Sequence, residues 1–171
     1  MNGDELRALQ ARLKARYREE PASARWTLRA TGRVGEEAPT CRIETGVGRV
    51  EAGLHPATGG EGGAACSGDM LLEALVGCAG VTLKAVATAM GVPLGRALVH
   101  AEGDLDFRGT LGVARDAPVG FTAIRMSFEI ESAAPAEQVE KLVQLTERYC
   151  VVFQTLKAPP AVTVTVDRRS P

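Results

Sequence analysis

A chain of 171 residues, 45% of them apolar, can bury a hydrophobic core of its own, so we expect a single domain over residues 1–171. Its 20 basic and 21 acidic side chains leave a formal net charge of −1, which disfavours nucleic acid or an anionic membrane as a partner. No stretch of about 20 residues is free of charged and turn-forming residues, and the N-terminus does not resemble a signal peptide. We therefore expect a soluble, cytoplasmic protein whose thiols are reduced.

The N-terminal third predicts a helix followed by a small sheet. Leu6, Leu9 and Leu13 recur at helical spacing among charged residues, which predicts an amphipathic helical extension over residues 1–20. Apolar and polar residues then alternate with a period of two, which is typical of half-buried strands. This pattern predicts an antiparallel meander over residues 22–54, with strands at 24–31, 40–45 and 47–54.

A long apolar helix forms the predicted centre of the molecule. The segment 55–63 is rich in Pro, Thr and Gly and is interpreted as a flexible connection. Ser67 offers an N-cap oxygen, Asp69 lies in the first turn, and the apolar run 70–90 ends at Gly91-Val92-Pro93. Because the run is apolar nearly all round, it must be covered on more than one side.

The remaining chain predicts two strands, a second helix and a final strand. The strands span 97–107 and 121–131, and a loop joins them. Pro135 begins a helix whose apolar stripe leads to Cys150; it runs or bends on to Leu156, and Ala161 to Val166 form a last alternating strand. Strands, helix, strands, helix and strand make an α+β pattern, with a core over residues 67–167 that carries both helices.

Cys78 and Cys150 are the candidate redox residues. Cys78 stands between Gly77 and Ala79-Gly80, where small residues leave space either for a substrate or for close helix packing. In mid-helix its pKa could be lowered only by a neighbouring cation or hydrogen-bond donor. Cys150 is near a helix end, where carbonyl dipoles keep a thiol protonated, and this suits a resolving thiol. Taken alone, however, Cys150 is better explained by inert core packing.

Other site types find little support in the sequence. Cys41 and Cys66 are interpreted as small buried apolar residues. A metal site built from Cys41, His55 and Cys66 lacks ligand spacing, and His100 stands alone. The glycines at 59–63 do not form a phosphate loop, and the chain has no GxSxG nucleophile elbow.

Two segments of this chain resemble the OsmC/Ohr family, the osmotically inducible and organic hydroperoxide resistance proteins. They are DMLLEALVGCAGVTLKAVATAMGVPLGRALVHAEGDLD and ERYCVVFQTL, and the likeness runs from about Asp69 to Val166. The resemblance implies an OsmC-like α+β fold, in which antiparallel sheets pack around two long apolar central helices of an intertwined homodimer.

The resemblance also implies thiol peroxidase chemistry. Cys78 matches the peroxidatic position and Cys150 the resolving position, and Arg33 in RATGRV matches the activating arginine, with Arg42 as the second choice. The family's glutamate before the central helix is missing, and only Asp69 is nearby; the usual Cys-Pro is Cys150-Val151 here. The sequence leaves open which arginine acts and from which subunit.

The expected function is therefore reduction of organic hydroperoxides to alcohols through a Cys78 sulfenic acid and a Cys78–Cys150 disulfide, in defence against oxidative stress. It would need no metal and no bound cofactor, but it would need an external dithiol reductant. Two alternatives remain open on the same fold: a non-catalytic protein that binds a small hydrophobic ligand, and a thiol redox switch that reports peroxide to a partner.

Overall fold

The predicted central helix is the longest element of the computed structural model, which describes residues 3–168 as an α+β fold. The helices are α1 (Gly3–Glu19), α2 (Ser67–Met90), α3 (Phe107–Thr110), α4 (Ala136–Tyr149) and α5 (Val151–Lys157). The strands are β1 (Gly32–Val34), β2 (Cys41–Thr45), β3 (Gly48–Gly53), β4 (Ala65–Cys66), β5 (Ala97–Asp104) and β6 (Ala123–Ile130). Short 3₁₀ turns occupy Pro21–Ala24 and Pro56–Thr58.

The ends of α2 follow the predicted signals with one difference. Cys66, rather than Ser67, is the N-cap residue, and no side chain caps the helix there; Asp69 lies in the first turn as expected. The helix ends because Gly91 adopts a left-handed conformation (φ 69°, ψ 24°), which costs a glycine little. Its N–H donates to the carbonyls of Ala87 and Thr88.

The N-terminal sheet has the strand order β1-β2-β3-β4. Strands β1, β2 and β3 are antiparallel, as the meander predicts, whereas β4 pairs in parallel with β3 and was not predicted. In this register Arg33 of β1 lies directly opposite Arg42 of β2, and Arg42 lies opposite Glu51 of β3. Paired residues share a face, so this face of the sheet is charged.

Two predicted strands have no ladder partner within residues 3–168. The prediction for 24–31 was wrong: a 3₁₀ turn ends at Ala24, and the chain then runs without strand pairing, with Trp26 80% and Leu28 90% exposed. The segment 161–166 is likewise outside any strand, and Val162, Val164 and Val166 are exposed. Alternating apolar and polar residues fit a strand. A strand forms, however, only where the edge of another strand is free to pair with it.

The second sheet and its connections are shorter and more ordered than predicted. β5 and β6 pair antiparallel along their whole length, from Ala97 opposite Ile130 to Asp104 opposite Ala123. After β5 the chain forms the single turn of α3, because the Asp106 carboxylate accepts the N–H of Arg108. The connection 55–63 is not featureless either, since it contains a 3₁₀ turn and the His55 ring stacks on Phe107 with centroids 4.9 Å apart.

The core lies along one stripe of α2. Leu75, Ala79, Leu83 and Ala87 recur every four residues and are buried, because this stripe packs against α4, α5 and β5. Burial of a leucine such as Leu83 or Leu142 stabilises the fold by about 1.5–3 kcal/mol. α1 docks at the far end of α2, where the Arg7 guanidinium donates to the Ala89 carbonyl at 3.2 Å.

The rest of the α2 surface is not covered by this chain. Leu71, Val81 and Met90 are exposed, and the α1 seam at Leu9 and Leu13 is also half open. By length and apolar composition alone α2 could cross a membrane, a test that the core helix of a soluble protein also passes. The prediction that α2 is covered on more than one side is thus met on one side only within residues 3–168.

Candidate active site

Folding brings Cys78 and Cys150 together, although 71 positions separate them in the sequence. Cys78 lies half-buried in the middle of α2, whereas Cys150 is fully buried between α4 and α5. Cys150 has φ −73° and ψ 110°, an extended conformation that ends α4; the sequence left open whether the helix runs on or bends here. Both thiols are free, and Cys78 packs against Cys150 within one apolar cluster.

The surroundings of Cys78 act on the pKa of its thiol in opposite directions. Burial by itself would raise the pKa of this thiol, but the main-chain N–H groups of Val152 and Val151, the Cys150 side chain and the Thr82 hydroxyl outweigh that effect. The pKa of Cys78 is therefore lowered below its ordinary value. The sequence analysis predicted that only a cation or a hydrogen-bond donor could lower this pKa. Within residues 3–168, hydrogen-bond donors account for the lowered value.

The pKa of Cys150 is shifted in the opposite direction. Burial raises the pKa of its thiol, and the neighbouring Cys78 adds to this, while the main-chain N–H groups of Phe153 and Val152 act the other way. The direction agrees with the prediction of a protonated thiol, but burial replaces the expected helix dipole as the main cause. One thiol of the pair thus ionises more readily than the other.

A cleft borders the residue before the first cysteine, although Cys78 itself is not among the residues that line it. Gly77, which precedes Cys78, has open space where a side chain would begin, and it borders a cleft of about 420 Å³. The other lining residues are apolar apart from two carboxylates, and comprise Leu72, Val76, Ala101, Asp69 and Glu73. Gly77 therefore leaves room for a ligand or for another chain, whereas Ala79 is fully buried in the packed core.

The predicted arginines lie elsewhere in this chain. Arg33 and Arg42 face each other on the N-terminal sheet and, with Arg29 and Arg49, line a separate cleft of about 780 Å³. Arg49 pairs with Glu44 at 3.2 Å, whereas Arg33 and Arg42 have no ion pair within residues 3–168. No guanidinium contributes to the interactions of Cys78 in the described chain. The structure therefore does not join Arg33 to the cysteine pair inside one subunit.

The remaining cysteines stay outside the pair. Cys41 and Cys66 are half-buried rather than buried, and the backbone of Gly32 crosses so close to Cys41 that an added Cβ would lie 2.5 Å from the sulfur. Among residues 3–168 no group of three or more metal-ligating side chains converges. The described chain thus offers no metal centre at Cys41, His55 and Cys66, and no residues there are assigned to a cofactor.

The sequence analysis missed the donors around Cys78. Thr82 follows the cysteine by four residues, the spacing that places two side chains on one face of a helix, and this signal was available. The N–H groups of Val151 and Val152 had no such signal, although valine at 151 keeps an N–H that the proline of the resembling motif would lack.

Comparison with known proteins places the chain in a family. A profile of the OsmC-like proteins matches residues 60–165, which is more than half of the chain. No curated protein matches the sequence. Among solved structures, the chain is similar to an OsmC-like protein from Mycoplasma pneumoniae, with 16% identity and a TM-score of 0.65 over 78% of this chain and 89% of that one.

Two further structures share the fold at equally low identity. One is an organic hydroperoxide resistance protein from Legionella pneumophila, with 18% identity and a TM-score of 0.61 over 79% of this chain and 92% of that one. The other is an organic hydroperoxide resistance protein from Elizabethkingia anophelis, with 15% identity and a TM-score of 0.62 over 80% and 91%. With the family match over both cysteine segments, these likenesses show that the chain belongs to the OsmC-like protein family.

Proposed function

We propose that this protein is a cysteine-based peroxidase that reduces organic hydroperoxides to alcohols and takes part in cytoplasmic defence against oxidative stress. The observation that carries the proposal is the contact between Cys78 and Cys150, whose pKa values are displaced in opposite directions. An attacking thiol needs to be ionised, whereas a resolving thiol is best kept protonated until its turn. Two proteins with this fold are described as organic hydroperoxide resistance proteins, which supports the substrate class.

In the first step the Cys78 thiolate attacks the distal oxygen of the hydroperoxide. An S–O bond forms and the O–O bond breaks, so the sulfur is oxidised by two electrons to a sulfenic acid while the peroxide is reduced. The leaving alkoxide takes a proton and departs as the alcohol. The N–H groups of Val151 and Val152 favour this step because they hold the ionised sulfur ready for attack.

In the second step Cys150 attacks the sulfur of the sulfenic acid. An S–S bond forms, the hydroxyl leaves with the Cys150 proton as water, and the site is protected from further oxidation. The two side chains already touch, so little movement is needed. A dithiol reductant then exchanges with the disulfide, is itself oxidised, and returns both thiols to the reduced state.

The activating guanidinium would come from a second subunit. Arg33, or Arg42 beside it, is exposed and unpaired within residues 3–168, and a buried thiolate would be a suitable partner for it. The uncovered face of α2 and the exposed apolar side chains of Trp26, Leu28 and Val164 support an intertwined homodimer. In such a dimer Asp69, which lines the cleft beside Gly77, could hold the arginine in the place of the family's glutamate.

The cleft at Gly77, one residue before Cys78, would favour alkyl hydroperoxides over hydrogen peroxide. Its apolar lining would bury the organic group, and each buried methylene contributes about 0.8 kcal/mol to binding. We therefore expect kcat/KM to rise with the alkyl chain length of the substrate. No nucleic acid, membrane, metal or bound cofactor takes part in this scheme.

The test uses reduced protein and cumene hydroperoxide. One equivalent should remove two of the four thiols and leave a Cys78–Cys150 disulfide that mass spectrometry detects. Cys78→Ser should abolish turnover with an excess of dithiothreitol, and Cys150→Ser should accumulate the sulfenic acid. Cys41→Ser, which changes a thiol outside the pair, is the matched control and should keep full turnover.

The same experiment separates the alternatives. A protein that only binds a hydrophobic ligand would lose no thiols, and a redox switch would be oxidised once without steady-state turnover. Full turnover by Cys78→Ser would show that the proposed chemistry is wrong.

A further inference from the structure

The cleft on the N-terminal sheet carries an excess of positive charge. It has a volume of about 780 Å³, and four arginines line it, namely Arg29, Arg33, Arg42 and Arg49. Glu44 is the one acidic side chain among the described residues that line it. The cleft is therefore strongly basic, although the whole chain has a formal net charge of −1. Folding concentrates arginines here well beyond what the composition of the chain would give.

The strand register places two of these arginines side by side. Arg33 of β1 lies directly opposite Arg42 of β2, and the Cβ atoms of residues paired in this way are about 4.5–5.5 Å apart. Both side chains are exposed, so water weakens their mutual repulsion without removing it. One anion between them would be held by both guanidinium groups, because the planar fork of arginine matches the oxygens of a phosphate or carboxylate.

The neighbouring carboxylates do not neutralise this pair. Glu44 lies opposite Arg49 in the register and binds it at 3.2 Å, so the charge of Glu44 is already matched. Glu51 lies opposite Arg42, but it does not line the cleft, and no ion pair joins the two within residues 3–168. The cleft therefore keeps three guanidinium groups that have no ionic partner in the described part of the chain.

We propose that this cleft binds a small molecule that carries a phosphate or diphosphate group. Several unpaired guanidinium groups favour a multiply charged oxyanion over a single carboxylate, because each further negative charge meets another cation. A volume of about 780 Å³ lies within the range of small-molecule sites and leaves room for an organic part beyond the phosphate. The inference goes beyond the proposed function and does not depend on it. If Arg33 also activates a partner thiol, Arg29 and Arg42 remain for the ligand.

The test is isothermal titration calorimetry of the full chain with sodium pyrophosphate as the probe. At an ionic strength of about 0.15 M, where attraction between distant exposed charges is largely screened, we expect saturable binding. Sodium acetate, which carries one charge, should bind at least about tenfold more weakly. Binding of pyrophosphate only at about 0.01 M ionic strength would indicate a loose counter-ion atmosphere and would overturn the proposal. Binding to phosphatidic acid vesicles in place of soluble pyrophosphate would assign the cleft to a lipid surface and reject a small-molecule ligand.

Substitutions separate the cleft from the net charge of the protein. Arg42→Gln should weaken pyrophosphate binding by about ten- to hundredfold, as for the loss of hydrogen bonds to a charged group. Arg42→Lys keeps the charge but not the fork, so its affinity should lie between those of Arg42→Gln and the parent. Arg115→Gln removes the same charge from an exposed loop residue outside the cleft and should stay within about twofold of the parent. Glu44→Gln frees Arg49 and removes a negative charge, so it should tighten binding by about two- to fivefold.

Two results with these variants would also overturn the proposal. Equal losses in Arg42→Gln and Arg115→Gln would show that net charge alone matters, and weaker binding by Glu44→Gln would contradict a site in this cleft. Circular dichroism checks that each variant keeps the parent fold. Because the assay contains no peroxide, Cys78→Ser should bind pyrophosphate as the parent does. An active peroxidase that does not bind pyrophosphate rejects this inference alone, whereas binding without peroxidase activity rejects the proposed function alone.

Discussion

The cysteine core and the N-terminal sheet differ in whether their functional groups find partners within one chain. Around Cys78 and Cys150, helices α2, α4 and α5 supply burial, hydrogen-bond donors and a partner thiol. The N-terminal sheet, by contrast, leaves Arg33 and Arg42 opposite each other and exposed. Like charges at directly opposed sheet positions are unfavourable, so this arrangement costs stability unless an anion is nearby.

In the proposed peroxidase, the single chain would supply stability and the reactive thiol pair, and a second copy would supply the arginine. The core needs no help to pair its sulfurs. The sheet and the extended segments at both ends carry groups that have no complement within residues 3–168. Each of the following changes tests one side of that division.

Removal of a buried leucine side chain should lower the stability of the cysteine core more than any other change considered. Leu142 is fully buried against Leu83 and Ala87, so Leu142→Ala should lower the free energy of unfolding by about 2–5 kcal/mol. Leu111→Ala changes an exposed leucine and should stay within about 0.5 kcal/mol. Urea denaturation followed by circular dichroism measures both, and equal effects would contradict the assignment of the core.

Substitution of arginines on the N-terminal sheet tests whether one of them activates Cys78. Arg33→Gln should lower kcat/KM by about 10²–10³-fold, as for loss of one charge-stabilising donor, while Arg49→Gln, on the same sheet, should have little effect. Arg42→Gln decides which arginine acts. Mixing Cys78→Ser with Arg33→Gln subunits should restore part of the activity, because mixed dimers would contain one complete site; no recovery after subunit exchange would place the arginine elsewhere.

The assembly itself is tested at the C-terminal segment. If residues 161–166 pair with a second copy, Val164→Asp would bury a charge and should weaken dimerisation by about 1–3 kcal/mol. Thr165→Asp places the same charge on the other face of the segment and should have a smaller effect. Sedimentation equilibrium measures the association, and a monomeric parent protein would refute the dimer directly.

The smallest expected effect concerns a single N–H group inside the core. Val151→Pro removes one donor to Cys78, yet proline fits the first position of α5 and the extended Cys150 before it. The loss of about 0.5–1.5 kcal/mol should move the pKa of Cys78 upward by up to about one unit. The alkylation midpoint should therefore lie at higher pH than in the parent, while Val151→Ala, which keeps the N–H, should leave it in place.

Much of the fold and the identity of the cysteine pair could be predicted from the sequence. The long, mostly apolar run and its Gly-Val-Pro stop located α2 almost to the residue, because helix ends depend on local backbone preferences. The antiparallel pairing of β2 with β3 followed from their short connection, whereas β1 lies at Gly32–Val34, after the strand that was predicted. The segments at 24–31 and 161–166 failed because strand formation requires a partner edge, which no local pattern supplies.

What the sequence determined by itself was the chemistry available: two thiols on apolar helices, an α+β pattern and a set of arginines near the N-terminus. Only the tertiary structure decided that Cys78 packs against Cys150, that the pKa values of the two thiols shift in opposite directions, and that Arg33 lies apart. The physical reason is that the pKa of a thiol depends on donors and burial within a few ångströms, and these come from segments far apart along the chain.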